Sequence, residues 1–103
     1  MGKYVLAYKG GSMAATEAEQ AAVMQSWISW FGDLGAAVVD GGNPFGASIS
    51  VGSDGAQSAV ASHGLTGYSI LNADSVDAAA TLAKGCPVLS SGGTVEVYEA
   101  MDM

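Results

Sequence analysis

One side chain in this sequence has an unperturbed pKa near neutrality, His63. A general base needs a proton within hydrogen-bond reach and a carboxylate to orient it. Asp40, closing an apolar run, and Asp54, in an Asp-Gly turn, are the acidic residues placed to do so. His63 as base with Asp40 as orienter would serve a cofactor-free lyase or isomerase. The Ser62-His63-Gly64 triplet also reads as a solvated loop, the commoner fate of such a sequence. A lone histidine among scattered aspartates makes no metal site, since such sites need several converging ligands. No cofactor is implied.

The remaining groups with chemical potential are weaker. Ser90-Ser91-Gly92-Gly93 suggests a nucleophile, but no base lies near in sequence and the glycines favour a loop. Cys86 precedes Pro87 at a helix end, where the dipole disfavours a thiolate, so it reads as a small apolar residue. Gly41-Gly42-Asn43-Pro44-Phe45-Gly46 could cradle a ligand with backbone N–H groups. It lacks the lysine and helix start of a phosphate loop and reads first as a turn. Trp27 and Trp30 carry the richest signal for binding. Three residues apart on a helix, they cannot both point fully into one small core, so one is expected to line a pocket or a subunit contact.

Charge narrows the partners. Net charge is −7, with ten acidic residues against Lys3, Lys9 and Lys84. Phosphate backbones and anionic membranes need clustered Lys and Arg, so neither nucleic acid nor a membrane surface is an expected partner. No stretch approaches the roughly 20 apolar residues of a spanning helix. The opening segment to Lys9 is short and has no cleavage pattern, and reads as a strand instead of a secretion signal. A single cysteine cannot form an internal disulfide, which makes the cytoplasm the default compartment. Charged residues are 13% of the chain, against roughly 25% in ordinary domains. That scarcity points to a buried oligomer interface.

The elements that would position these residues follow from pattern. The 103 residues make one domain, 1–103, with no internal repeat or low-complexity linker. Lys3–Lys9 is apolar on both sides and reads as a strand covered on both faces. Thr16-Glu17-Ala18-Glu19 is a capping box that starts a helix near Glu17. Met24, Trp27, Ile28, Phe31 and Leu34 form its apolar face, widened by Val23 and Trp30, and Gly35 reads as a left-handed cap. Residues 36–40 form a short strand. Residues 47–51 and 57–61 form a hairpin around Asp54-Gly55. Residues 67–77 form a buried strand that runs into a helix capped at Asp74 or Ser75. Gly85 reads as the left-handed glycine closing that helix before Pro87, and Thr94–Ala100 is the last strand. Strand, helix, strand, hairpin, strand, helix, strand predicts an α+β, ferredoxin-like sheet with both helices on one face. A second subunit covering the other face would explain the apolar first strand.

The opening Lys3-Tyr4-Val5-Leu6-Ala7-Tyr8, together with Leu34-Gly35-Ala36, Asp40-Gly41-Gly42 and Gly67-Tyr68-Ser69-Ile70-Leu71, resembles the YCII-related proteins and their DGPF-type branch. Asp74-Ser75-Val76-Asp77-Ala78-Ala79, Cys86-Pro87 and Gly92-Gly93-Thr94-Val95-Glu96-Val97 extend the resemblance over most of the chain outside 43–66. It implies a dimeric α+β barrel of two facing sheets. Some branches carry a histidine on the first helix paired with an aspartate past the second strand. Met24 stands at that helix position here, and Ala61-Ser62-His63-Gly64-Leu65-Thr66 replaces the DGPF motif. The sequence thus predicts a cytoplasmic homodimer that binds a small, largely apolar ligand in a pocket of the barrel through Trp27, Trp30 and Tyr68. The alternative is the His63–Asp40 lyase or isomerase.

Overall fold

The computed structural model describes residues 2–10, 16–55, 57–58 and 64–101. Its strands are β1 (Gly2–Lys9), β2 (Val38–Asp40), β3 (Ser50–Val51), β4 (Gln57–Ser58), β5 (Leu65–Ala73) and β6 (Thr94–Ala100). Helices α1 (Glu17–Leu34) and α2 (Val76–Ala83) follow β1 and β5. The main sheet is antiparallel throughout, in the order β2-β5-β1-β6. A four-stranded antiparallel sheet with two helices is an α+β fold compatible with the ferredoxin-like arrangement.

Helix starts follow local chemistry. The Thr16 hydroxyl accepts the Glu19 N–H at 3.1 Å, and the Ser75 hydroxyl accepts the Ala78 N–H at 3.0 Å. Each satisfies a donor that the first helical turn leaves free. Of the two caps anticipated for α2, Ser75 is the one used. At the end of α1, Gly35 has a positive φ of 55°. The chain then tightens into a 3-10 turn at Gly35–Ala37, so β2 begins at Val38 and not at residue 36. The hairpin pairs Ser50 with Ser58 and Val51 with Gln57, in a sheet of its own. Residues 59–61, expected to complete its return strand, lie outside the described residues.

The closing residue of α2 differs from expectation. Lys84 is the C-cap, in right-handed helical conformation, and Gly85 is not at positive φ. Its smallness serves a neighbour. A Cβ at Gly85 would lie 3.0 Å from Trp30 Nε1 and 3.1 Å from its Cδ1. The indole N–H donates to the Leu82 carbonyl at 3.3 Å, which fixes the ring against the end of α2.

One face of the sheet holds the core. Tyr4, Leu6 and Tyr8 of β1 and Ser69, Leu71 and Ala73 of β5 are all buried there. Leu6 and Leu71, fully enclosed, contribute roughly 1.5–3 kcal/mol each by leaving water. Trp30, Ala83, Cys86 and Val88 close over Leu6, Tyr8 and Leu71, and Ala79 covers Tyr4 and Ala73. The opposite face aligns Ile70, Val5 and Tyr98 across β5, β1 and β6. Toward its β2 edge Phe45 stacks on Tyr68 beside the buried Ala7, and no described helix covers the rest of that face. The thinnest dimension, 19 Å, is that of a single sheet and a single helical layer. The two-sided cover expected for β1 is therefore only partly supplied by the described residues. Among the described residues no helix is long and apolar enough to cross a membrane.

Candidate functional site

A cavity of about 510 Å³ opens where the first half of α1 stands away from the sheet. The predicted apolar face of α1 explains it. Only Trp30 on this helix is buried, while Trp27, Phe31 and Leu34 are half-buried. Val23, Met24 and Ile28, expected in the core, are exposed at 45%, 62% and 57%. The helix is fastened at its C-terminal half, and its N-terminal half overhangs the cavity with Gln20, Val23 and Met24 at the rim.

Aromatic rings build one wall. Trp27 packs edge-on against Tyr8, with centroids 5.1 Å apart at 70°, and against Trp30 at 5.7 Å and 75°. Phe31 lies tilted against both tryptophans, at 5.8 Å and 5.1 Å. Such edge and tilted arrangements suit the ring quadrupoles and hold the rings as one body. The two tryptophans divide as their spacing demands. Trp27 lines the cavity, whereas Trp30 sits in the core and only borders a shallow groove on the other side of α1.

The facing wall is backbone. Residues 41–44 run beside the start of β5, bridging Pro44 to Gly67. The Phe45 N–H donates to Thr66 O at 2.9 Å and the Tyr68 N–H to Asn43 O at 3.4 Å. Gly42, at a φ of 75°, passes so close to β5 that a Cβ would collide with the Tyr68 carbonyl. Tyr68 lines the cavity edge and stacks on Phe45 at 5.7 Å and 20°. Of the loop N–H groups that could cradle an anion, that of Gly42 is committed to Asp40 Oδ1 at 2.8 Å. The loop is thus a wall and a turn together.

A short polar chain closes the floor. The Tyr8 hydroxyl donates to Ser69 Oγ at 2.6 Å, and Ser69 Oγ donates to the Gly41 carbonyl at 2.7 Å. It links the middle of the sheet to the glycine wall. Burial pushes the Tyr8 phenol well above its ordinary 10.0, an effect that its bond to Ser69 partly offsets and the adjacent Cys86 adds to. Burial likewise pushes the Cys86 thiol up to about 11, against the lowering effect of the Val88 backbone and of Tyr8. A protonated, enclosed thiol is a packing group and not a nucleophile.

The chain matches no protein-family model and no curated protein.

Among the residues singled out from sequence, Trp27 lines this cavity, Tyr68 borders it from a strand position that alternates to the opposite face, where its ring stacks on Phe45, and Trp30 does not reach it. Asp40, exposed at the end of β2, accepts the Gly42 N–H and, at 3.5 Å, the Tyr68 hydroxyl, so it organises the turn behind the wall. His63 lies outside the described residues. Ser91 donates to the carbonyls of Pro87 and Val88, at 3.5 and 3.4 Å, within its own turn. Among the described residues no group of three potential ligands converges to hold a metal ion. Nothing in the sequence marks Tyr8 as a lining residue, whereas Gly41 belongs to the loop read as a possible ligand cradle. Tyr8 reads as one more strand aromatic, and no local pattern tells that the loop folds back beside β5.

Proposed function

We propose that this protein binds a small, largely apolar molecule in the cavity between the first half of α1 and the sheet, and that it works as a homodimer. The observation that supports binding most is the wall of Tyr8, Trp27 and Phe31 around about 510 Å³ of space. Ligand pockets are commonly about 300–1,000 Å³, mostly apolar, with a few polar groups for orientation. Here the polar groups are Gln20, Asn43 and Thr66. The half-exposed rim residues Val23 and Met24 have a reason to be apolar if they close on a bound molecule.

The dimer is proposed from the bare face of the sheet, where Val5, Ile70 and Tyr98 stand side by side. Two such faces meeting would make the α+β barrel that the resemblance to YCII-related proteins implies. The ligand cavity then lies on the helix side of each sheet, outside the subunit contact.

Calorimetric titration with 2-naphthol and with its saturated counterpart, decahydro-2-naphthol, tests the binding. At least one is expected to bind saturably, one molecule per chain. Trp27→Ala should weaken it about tenfold, as expected for removing a ring contact together with its buried area. Absence of saturable binding by either compound, or binding indifferent to Trp27→Ala, would refute the assignment.

A further inference from the structure

We infer that two copies of the sheet meet about a two-fold axis running across the strands at Val5, so that Lys3 of each chain pairs with Glu96 of the other. This rests on the dimer proposed above and fixes its register. The order of side chains on the face away from the helices carries it.

Strand alternation identifies that face. Tyr4, Leu6 and Tyr8 are buried in the core, and Val95 and Val97 pack against it. The residues between them therefore stand on the opposite side. Register sets Lys3 in one row with Ala100, Val5 in the next with Ile70 and Tyr98, and Ala7 in a third with Glu96. A cation thus lies on one side of the apolar middle row and an anion on the other. Among the described residues, the other charges near this face are Lys9, one row beyond Ala7, and Asp40 at the β2 edge, two strands away from Lys3.

Glu96 is held for the purpose. The Tyr98 hydroxyl donates to Glu96 Oε2 at 2.9 Å, which keeps the carboxylate beside the small Ala7. Within one chain Lys3 and Glu96 are four residues apart along the strands, about 13 Å. Strand side chains stand off the sheet, so these two exposed charges face outward and not each other.

Sheets packed face to face lie about 10 Å apart, with strands roughly aligned or nearly orthogonal. A two-fold along the strands would stack each row on its own copy and bring Lys3 against the partner's Lys3. An orthogonal crossing at Val5 would set Lys3 over the partner's Ile70 or the partner's Tyr98, with no carboxylate directly across. A two-fold across the strands exchanges the outer rows instead. Val5, Ile70 and Tyr98 then meet their own copies. Lys3 comes over the partner's Ala7, one strand spacing of about 4.8 Å from the partner's Glu96. Lys9 falls past the start of the partner's β1. Lysine and glutamate reaching toward each other span the space between the sheets, and symmetry makes the pair twice.

Sedimentation equilibrium on the full chain tests the register with Lys3→Glu, Glu96→Lys, the double reversal, and Lys84→Glu at the end of α2 as a control for charge alone. Lys3 and Glu96 are exposed, so each variant should keep the wild-type circular dichroism. Lys3→Glu should weaken association about tenfold or more, because it sets like charges across the contact. Glu96→Lys should weaken it similarly, although it brings the net charge nearer to zero from −7 and general repulsion alone would then favour association. The double reversal should return the dissociation constant to within a few-fold of wild type. Single reversals no weaker than Lys84→Glu, or a double variant no tighter than the singles, would overturn the register while leaving a dimer in place. A monomeric wild type would remove the dimer itself, and this inference with it.

Discussion

Gly85 owes its size to a tryptophan. An alanine there would press its methyl to within 3.0 Å of Trp30 Nε1, in a core whose C-terminal helix anchor is that indole. Gly85→Ala is expected to lower stability by roughly 1–3 kcal/mol, the usual effect of overpacking. Gly32, in the second half of α1, is the contrast, because a Cβ placed there meets nothing within 4 Å. Gly32→Ala should raise stability by roughly 0.5–1 kcal/mol through helix propensity alone. Urea midpoints of the two variants moving in opposite directions would establish the difference. Tyr8 and Cys86 make a second residue-level prediction. Both hold their protons more tightly folded than unfolded. For such acids the unfolded state loses its proton first as pH rises, which favours unfolding. The thiol's contribution is intact below about pH 9 and disappears as pH climbs through the folded value of about 11. Stability measured from pH 8 to 11 should fall in wild type, and Cys86→Ala should make that fall shallower.

At the scale of elements, α1 behaves as two segments. Trp30, Phe31 and Leu34 tie its second half to Leu6, Leu71 and Val88 in the core. Its first half has Thr16 as cap but no buried side chain, and it leans over open space. Opening free energy follows local burial, so the two halves should differ in protection. Amide hydrogen exchange is expected to be faster across residues 20–24 than across 30–34. Addition of a bound probe should slow the first half selectively, because Gln20, Val23 and Met24 then gain a packing partner. Uniform protection along α1 would show that the helix is anchored over its whole length.

For the whole molecule, the dimer proposal rests on the side of the sheet away from the helices. Ile70 and Tyr98 flank Val5 on the face away from both helices, and Tyr98 is 56% exposed. A radius of gyration of 15.0 Å, against about 13 Å for a compact chain of this length, fits a flat two-layer body with one face still to cover. Sedimentation at micromolar concentration should give a dimer, and Ile70→Lys should give a folded monomer by placing an unpaired charge in the contact. A stable wild-type monomer would end the dimer proposal.

Local patterns in the sequence determined the elements and their order. The Thr16 capping box, the Ser75 cap, the Asp54-Gly55 turn and the apolar runs around Leu6 and Leu71 act over a few residues, and each stands where its chemistry predicts. The division of labour between Trp27 and Trp30 was foreshadowed too: both pack against the cluster around Leu6 and Leu71, but only Trp30 is buried in it. Tertiary packing decided what no local pattern contains. The role of Gly85 depends on an indole of the first helix, and that of Gly42 on a carbonyl of β5. The apolar face of α1 was legible, but periodicity says only that a face seeks cover. How far along the helix the sheet reaches is set by side chains on β1 and β5 and the turn after α2. Trp30 and Val88 fill the space beneath the C-terminal half. No described side chain fills it beneath the N-terminal half, and the cavity is what remains.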